Sequence, residues 1–373
     1  MFCDRRIANT RRWFMEPPKD ADMRVPDTAK DCVVFVGRLR ADGTMSKDDL
    51  LGTAFIVVHR NELAVSDLSK SFLYIVTAKH VIDGLGRAEC GIRINNKDGT
   101  ASLLQAPHKW WTHPSDLTAD VAVVPFGPPP DAPFQFSAFP TEAFATEENI
   151  EKAKIGVGDE VFITGLFAHN IGDKQNLPIV RMGNVALMAG EPIPAHDYNM
   201  DAHLIEARSI GGLSGSPALV RQTVSVALSQ NIKFKDEEVI RELPPDQWPK
   251  DAIFVTGVGP FFLLGLMHGH WDIAAKQKNE ILLSADRKGA VNLGIALVVP
   301  ATKILETINH PELSAMRKEA HERFQKGLPP ITLDRVENPS KQRTREGAEI
   351  PVPSARQFHA DLWKVTRRKK SSE

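Results

Sequence analysis

Short apolar runs rich in β-branched and aromatic residues recur along most of the chain, and they limit what it can fold into. Each has five to ten residues and is bounded by glycine, proline or polar residues. Runs of this kind predict β-strands, and their repetition predicts a sandwich or a barrel. The runs span 32–39, 52–58, 71–78, 90–96, 120–126, 159–167, 179–188, 202–209, 216–220, 261–269 and 291–300.

A proline-rich segment divides these runs into two series. It reads GPPPDAP over 127–133 and predicts a connector between two all-β halves, at about 31–126 and about 155–300. The charged stretch 221–258 interrupts the second series and predicts a surface insertion.

The two ends of the chain differ in texture from its middle. Residues 1–30 contain three prolines and predict an irregular lead-in. Apolar residues at helical spacing predict a C-terminal helix over 301–327, with a break near Pro311. The remainder of 311–373 is expected to be a flexible tail. Its last part, 339–373, has nine basic and four acidic residues, which suits a solvated tail or, alternatively, weak docking of nucleic acid or a partner.

Composition excludes several classes of protein. The formal net charge of −1 gives no overall attraction to nucleic acid or to an acidic membrane. Three widely spaced cysteines do not form a disulfide framework or a metal knuckle. No stretch approaches the roughly 20 apolar residues that a membrane span needs. We therefore expect a cytoplasmic protein without a cofactor, and the oligomeric state stays open.

Three short segments together suggest nucleophilic chemistry. TAKHV places His80 where an apolar strand ends, DVAVV places Asp120 directly before another, and GLSGSP places Ser214 between glycines. A serine hydroxyl is a weak nucleophile, so it needs a base, and histidine is suited to that role. A buried aspartate would fix the imidazole tautomer.

The developing charge on an attacked carbonyl oxygen also needs donors. Gly212 would let its own N–H and that of Ser214 point at one spot. The chain order His, Asp, Ser differs from that of α/β-hydrolases and of subtilisins, and it fits the chymotrypsin order.

These segments resemble the TAxH, DIAxx and nucleophile-loop motifs of trypsin-like serine peptidases. Two weaker matches, GTAF at 52–55 and NLGIA at 292–296, resemble strands of HtrA-like and glutamyl endopeptidase relatives. The resemblance covers roughly 31–308. It implies two six-stranded antiparallel β-barrels of the chymotrypsin-like type within a peptidase domain at 31–310.

The resemblance also implies roles for individual residues. His80 would be the general base, Asp120 the orienting carboxylate and Ser214 the nucleophile. The backbone N–H groups of Gly212 and Ser214 would form the oxyanion hole, and Ser216 would be structural. The substrate would be a protein or peptide. The alternative is an inactive barrel that serves as a protein-binding module.

Departures from the family pattern concern activation and specificity. Leu213 stands where digestive members have an aspartate that captures a new N-terminus, so activation by trimming is not expected. Arg208 and His268 fall on the walls of the primary pocket and would favour acidic substrates; the alternative is that Arg208 points outward and His268 packs. HGHWD, at 268–272, has two histidines on one strand, but without further ligands it does not predict a metal site.

Overall fold

The computed structural model describes most of the chain between 25 and 328 and two short segments beyond. The described ranges are 25, 27–60, 71–129, 131–167, 170–195, 198–207, 212–221, 260–273, 291–328, 341–343 and 349–351. For 270–273, 291–293, 341–343 and 349–351 only the backbone is described. Arg208 and nearly all of the predicted insertion and tail therefore lie outside the described residues.

The chain is built mostly of strands. Those of the first half are β1 (Val33–Leu39), β2 (Leu50–His59), β3 (Phe72–Thr77), β4 (Glu89–Asn95), β5 (Ala101–Gln105), β6 (Trp111–Thr112), β7 (Ala122–Phe126) and β8 (Phe139–Pro140). Those of the second half are β9 (Glu160–Gly165), β10 (Ile179–Leu187), β11 (Ile193–Ala195), β12 (Tyr198–Met200), β13 (His203–Glu206), β14 (Pro217–Arg221), β15 (Phe262–Ile273) and β16 (Val291–Pro300).

Helices are few and short. They are α1 (Asp27–Asp31), α2 (Lys79–Asp83), α3 (Glu147–Ala153), α4 (Ala301–Ile308) and α5 (Pro311–Gln325), with 3-10 turns at Lys47–Asp49 and Thr141–Ala143. The predicted C-terminal helix is confirmed, and it breaks before Pro311 as expected. A proline has no N–H to continue the ladder, so it begins a new helix.

The first half forms an eight-stranded sheet in the order β5-β4-β1-β2-β3-β7-β6, with β8 pairing β2. The β2–β8 pair is parallel, and the others are antiparallel. The central strands β2 and β3 are buried almost along their whole length. This burial explains why they read as continuous apolar runs rather than alternating ones.

The second half closes into a six-stranded barrel, β10-β13-β16-β15-β14-β9. Its interior is filled by aliphatic side chains, which include Val161, Ile163, Val185, Ile205, Ala218, Val220, Leu264, Met267, Ala296 and Val298. Closure leaves no free sheet edge in the barrel, which removes the hazard of edge-to-edge pairing. The predicted all-β class is confirmed. Of the two predicted six-stranded barrels, the second half forms a closed one, and the first half forms the eight-stranded sheet.

The chain divides into two compact units, 2–314 and 315–373. Both halves of the β structure lie in the first unit. In the second, Lys341–Arg343 (β17) pairs with Glu349–Pro351 (β18) within the segment predicted as a tail. Within the described ranges, the helices are too short or too polar for any of them to cross a membrane.

Candidate active site

The register of two neighbouring strands places His80 beside Asp120. β3 and β7 are antiparallel, and Thr77 pairs with Ala122. The chain leaves β3 into α2, which contains His80, and it enters β7 just after Asp120. Both side chains therefore lie at the same end of the sheet. The imidazole Nδ1 of His80 is 2.6 Å from Asp120 Oδ2, and the backbone N–H of His80 donates to Oδ1 at 2.8 Å.

A tight turn presents Ser214. The N–H of Ser216 donates to the carbonyl of Leu213 at 2.9 Å, which closes a four-residue turn with Ser214 and Gly215 in its centre. Gly215 has φ +80°, the value that the third position of a type II turn requires. Ser214 thus occupies the second position, at the outer corner of the turn.

Thr53 on β2 fastens this turn to the first half of the molecule. Its N–H donates to the Ser214 carbonyl at 2.9 Å, and its hydroxyl donates to the Gly212 carbonyl at 2.8 Å. On the other side, Gly215 N–H donates to the Met267 carbonyl at 2.7 Å. The turn is therefore held between β2 and β15, next to His80 and Asp120.

Asp120 receives hydrogen bonds from two imidazoles rather than one. Nδ1 of His268, on β15, lies 2.5 Å from the same Oδ2 atom that His80 contacts. The two rings meet edge to face with centroids 5.2 Å apart. Burial by itself would raise the pKa of Asp120, but the hydrogen bonds from His268 and His80 and their charges hold it well below its ordinary range. Asp120 is thus a buried anion.

The exposure of the three side chains differs sharply. Those of Asp120 and His268 are 5% and 12% exposed, whereas that of His80 is 44% exposed. The fixed members of the cluster are therefore inside, and the imidazole that would meet a substrate faces solvent.

The hydroxyl of Ser214 donates to the backbone carbonyl of His268 at 3.1 Å. Among the described residues it has no hydrogen bond to His80. The backbone N–H groups of Gly212 and Ser214 also have no acceptor among the described residues. Gly212 has φ +97°. Ser216, in contrast, is completely buried.

An ion-pair network supports the loop that leads to Asp120. Lys303 on α4 donates to Asp116 at 2.8 Å and pairs with Asp201 at 2.9 Å. The N–H and the hydroxyl of Thr118 both donate to the Asp116 carboxylate. Burial opposes ionisation, yet the hydrogen bonds from Lys303 and Thr118 hold the pKa of Asp116 well below its usual value. The C-terminal helix therefore helps to fix the position of the loop.

The structure brings His80, Asp120 and Ser214 to one place, together with Gly212. Arg208 lies outside the described residues, so its role in a specificity pocket stays a prediction. The same holds for the pocket role of His268, whose imidazole is turned toward Asp120. The sequence did not predict this contact, because it depends on the pairing of β15 with β14, which no local motif specifies.

The cluster also has the composition of a metal site. His80, Asp120 and His268 each offer one ligand atom, and these atoms lie within 4.8 Å of one another. This set differs from the pair of histidines in HGHWD, because it takes one histidine from β15 and the other from α2.

Comparison with known proteins gives only remote likenesses. No family model matches the sequence, and no curated protein matches it. The apo MamO protease domain from Magnetospirillum magneticum superposes with a TM-score of 0.40 at 14% identity, over 74% of this chain and 96% of that one. The inactive form of the Rv3671c protease gives 0.35 at 15% identity, over 76% and 89%. Human heparin binding protein gives 0.38 at 7% identity, over 77% and 93%. At these levels the likenesses assign no role to any residue of this chain.

Proposed function

We propose that the chain is a serine endopeptidase in which Ser214 is the nucleophile, His80 the general base and Asp120 the orienting carboxylate. The observation on which this rests is the pairing of His80 Nδ1 with a buried aspartate beside a serine at the corner of a tight turn. With Nδ1 donating to Asp120, the lone pair of Nε2 is free to accept a proton, which is the tautomer a base needs.

Attack by Ser214 requires a rearrangement. Its hydroxyl donates to the His268 carbonyl at rest. To be activated, the hydroxyl would have to leave this carbonyl, for example by rotation about χ1, and donate to His80 Nε2. His80 then takes the proton as Oγ bonds to the substrate carbonyl carbon, and it returns the proton to the leaving amine. A water molecule hydrolyses the acyl-enzyme by the same route in reverse.

The oxyanion would be stabilised by the backbone of the nucleophile turn. The N–H groups of Gly212 and Ser214 are free of acceptors within the described ranges. Donors fixed in advance at such a position are worth about 3–4 kcal/mol of transition-state stabilisation each. His268 would act as a positioning residue, because its Nδ1 also donates to Asp120 Oδ2 and so restrains the carboxylate.

One observation favours a second function, that of an inactive protein-binding module. Ser214 donates to the His268 carbonyl, and among the described residues no hydrogen bond joins it to His80. A chain locked in that arrangement would have no activated nucleophile.

Labelling with a fluorophosphonate separates the two functions, because this probe reacts with an activated serine. The wild type should be labelled, and Ser214→Ala should abolish labelling and lower peptide turnover by roughly five to six orders of magnitude. Ser216→Ala is the matched control: the side chain is buried and has no chemical role, so this variant should keep most of the activity.

The outcomes discriminate cleanly. If Ser216→Ala abolishes labelling and Ser214→Ala spares it, Ser214 is not the nucleophile. If the folded wild type is never labelled and cleaves no peptide, the binding module takes the place of the peptidase.

A further inference from the structure

We propose that His80, Asp120 and His268 also form a site for a divalent transition-metal ion such as Zn²⁺, and that an ion bound there switches the peptidase off. Two imidazole nitrogens and one carboxylate are a donor set that zinc uses in proteins. Here both Nδ1 atoms already converge on one carboxylate oxygen, at 2.6 and 2.5 Å. The inhibitory effect rests on the proposed function, whereas binding of the ion does not.

The ligand atoms would need modest movements to take an ion. Zinc bonds of about 2.1 Å in a tetrahedral arrangement separate neighbouring ligand atoms by roughly 3.4 Å, so each contact with Asp120 would open by less than about 1 Å. The two ligand nitrogens, which lie within 4.8 Å of each other, would come to the same separation. His80 can supply this movement because its side chain is 44% exposed on the short helix α2. Its exposure also gives the ion a path from solvent. Asp120 is buried and His268 is mostly buried, so both would stay in place.

Charge favours a cation at this point. With neutral imidazoles, the cluster carries the single negative charge of Asp120. Among the described residues, the neighbouring groups do not oppose a cation: Lys79 on α2 is paired with Asp83 at 3.3 Å, and Tyr198 on β12 is a phenol whose pKa is raised by burial and by Asp120. Imidazole nitrogens select zinc and copper over Mg²⁺ and Ca²⁺, which prefer oxygen ligands.

A bound ion would prevent His80 from acting as the base, although the imidazole ring would keep its proton. An ion on Nδ1 of a neutral imidazole leaves the ring proton on Nε2. The Nε2 atom of His80 then has no lone pair for the proton of Ser214, so the serine is not activated. The metal-bound and active forms are therefore mutually exclusive.

Binding is measured on full-length Ser214→Ala, which cannot digest itself. Calorimetry with Zn²⁺ should give one ion per chain, and Co²⁺ should give the visible bands of a four-coordinate site, whereas Mg²⁺ should not bind. In this background His268→Gln and His80→Gln should each weaken Zn²⁺ binding by at least about a hundredfold, since even losing an outer partner of a metal ligand can cost that much. His108→Gln removes a histidine whose side chain is 75% exposed and should change nothing.

Thermal unfolding without metal shows whether each variant is folded. Because His80 is half-exposed, its replacement tests the site even if the buried His268 does not tolerate substitution. Absence of Zn²⁺ binding, or binding that both folded variants retain, overturns the proposal.

The inhibitory effect is tested on the wild type. Zn²⁺ should suppress fluorophosphonate labelling, and a chelator should restore it. Labelling that persists when the site is saturated would refute inhibition while leaving the peptidase intact. Metal binding by a chain that is never labelled would instead refute the peptidase and leave the site.

Discussion

Gly215 adopts φ +80° at the centre of the turn that presents Ser214. Its surroundings are as restrictive as its backbone. A Cβ added there would overlap the Thr53 carbonyl oxygen and the Thr77 hydroxyl. The position therefore demands glycine for two independent reasons, conformation and space.

These two reasons can be separated by substitution. Gly215→Ala should lower the free energy of unfolding by more than the roughly 1–2 kcal/mol that a positive φ costs a residue with a Cβ. Gly86→Ala is the control, since Gly86 has φ +63° with open space around it, and it should lose at most about 1–2 kcal/mol. Denaturant titration gives both values, and fluorophosphonate labelling should fall only for Gly215→Ala. An equal loss of unfolding free energy in the two variants would contradict steric crowding at position 215.

The sequence points to individual candidate residues of the site, but it does not show every contact between them. His80, Asp120 and Ser214 each follow from a local motif. The contact between His268 and Asp120 joins residues 148 positions apart, and no local pattern encodes it. It depends on strand pairing, which the sequence specifies only through the whole fold.

Individual strands were predictable where both faces are buried. The predicted runs 52–58 and 71–78 correspond to β2 and β3, and 291–300 coincides with β16. β5 was missed because ASLLQ is only half-buried and contains no β-branched residue. The hairpin of β11 and β12 was missed because each strand has only three residues.

A buried histidine on β13 should make the stability of the protein depend on pH. His203 on β13 is buried, and its Nδ1 accepts the Ala189 N–H at 3.0 Å. Burial lowers the pKa of His203 to about 4. Between about pH 6.5 and 4, His203 is therefore protonated in the unfolded chain but not in the folded chain. Stability should fall by about 3 kcal/mol as the pH falls through that window.

His203→Asn tests this expectation. An asparagine oxygen can take the place of Nδ1 as acceptor but does not titrate. Denaturant unfolding at pH 7 and pH 4.5 should show a smaller loss of stability in the variant than in the wild type. Asp116 and Asp120, whose pKa values are lowered, affect the stability only below about pH 4, outside this window. Identical losses in variant and wild type would assign the acid sensitivity to other groups.

At the scale of the whole molecule, the long segment between β14 and β15 leaves and re-enters the barrel at adjacent points. Val220 pairs with Phe262, and Leu219 pairs with Leu263. Arg221, at the end of β14, is buried and paired with Glu160 at 2.6 Å. The six described strands thus close the barrel by themselves.

Replacement of 222–260 by a two-residue Asn-Gly turn should leave the barrel folded, because Arg221 and Phe261 follow directly on the pair of Val220 and Phe262. Such a turn joins antiparallel neighbours directly, and shortening a loop changes its closure cost by only about 0.6 kcal/mol per halving. The shortened chain should unfold cooperatively, within about 3 kcal/mol of the full chain. The matched control replaces 274–290, which also joins paired strands, at Ile273 and Val291. Loss of cooperative unfolding in the first variant alone would show that the barrel depends on 222–260.

The adjacency of Val220 and Phe262 also bears on how such a chain can diversify. Because the ladder fixes the distance between the two strand ends, the number of residues between them is free to change without altering the register of any strand. A foreign domain whose termini lie close together could be grafted there, and the barrel would serve as its scaffold. The junction lies at the end of β14 away from the Ser214 turn, and His268 is six residues further along β15, about 20 Å away. A graft there would therefore leave the cluster around Asp120 in place.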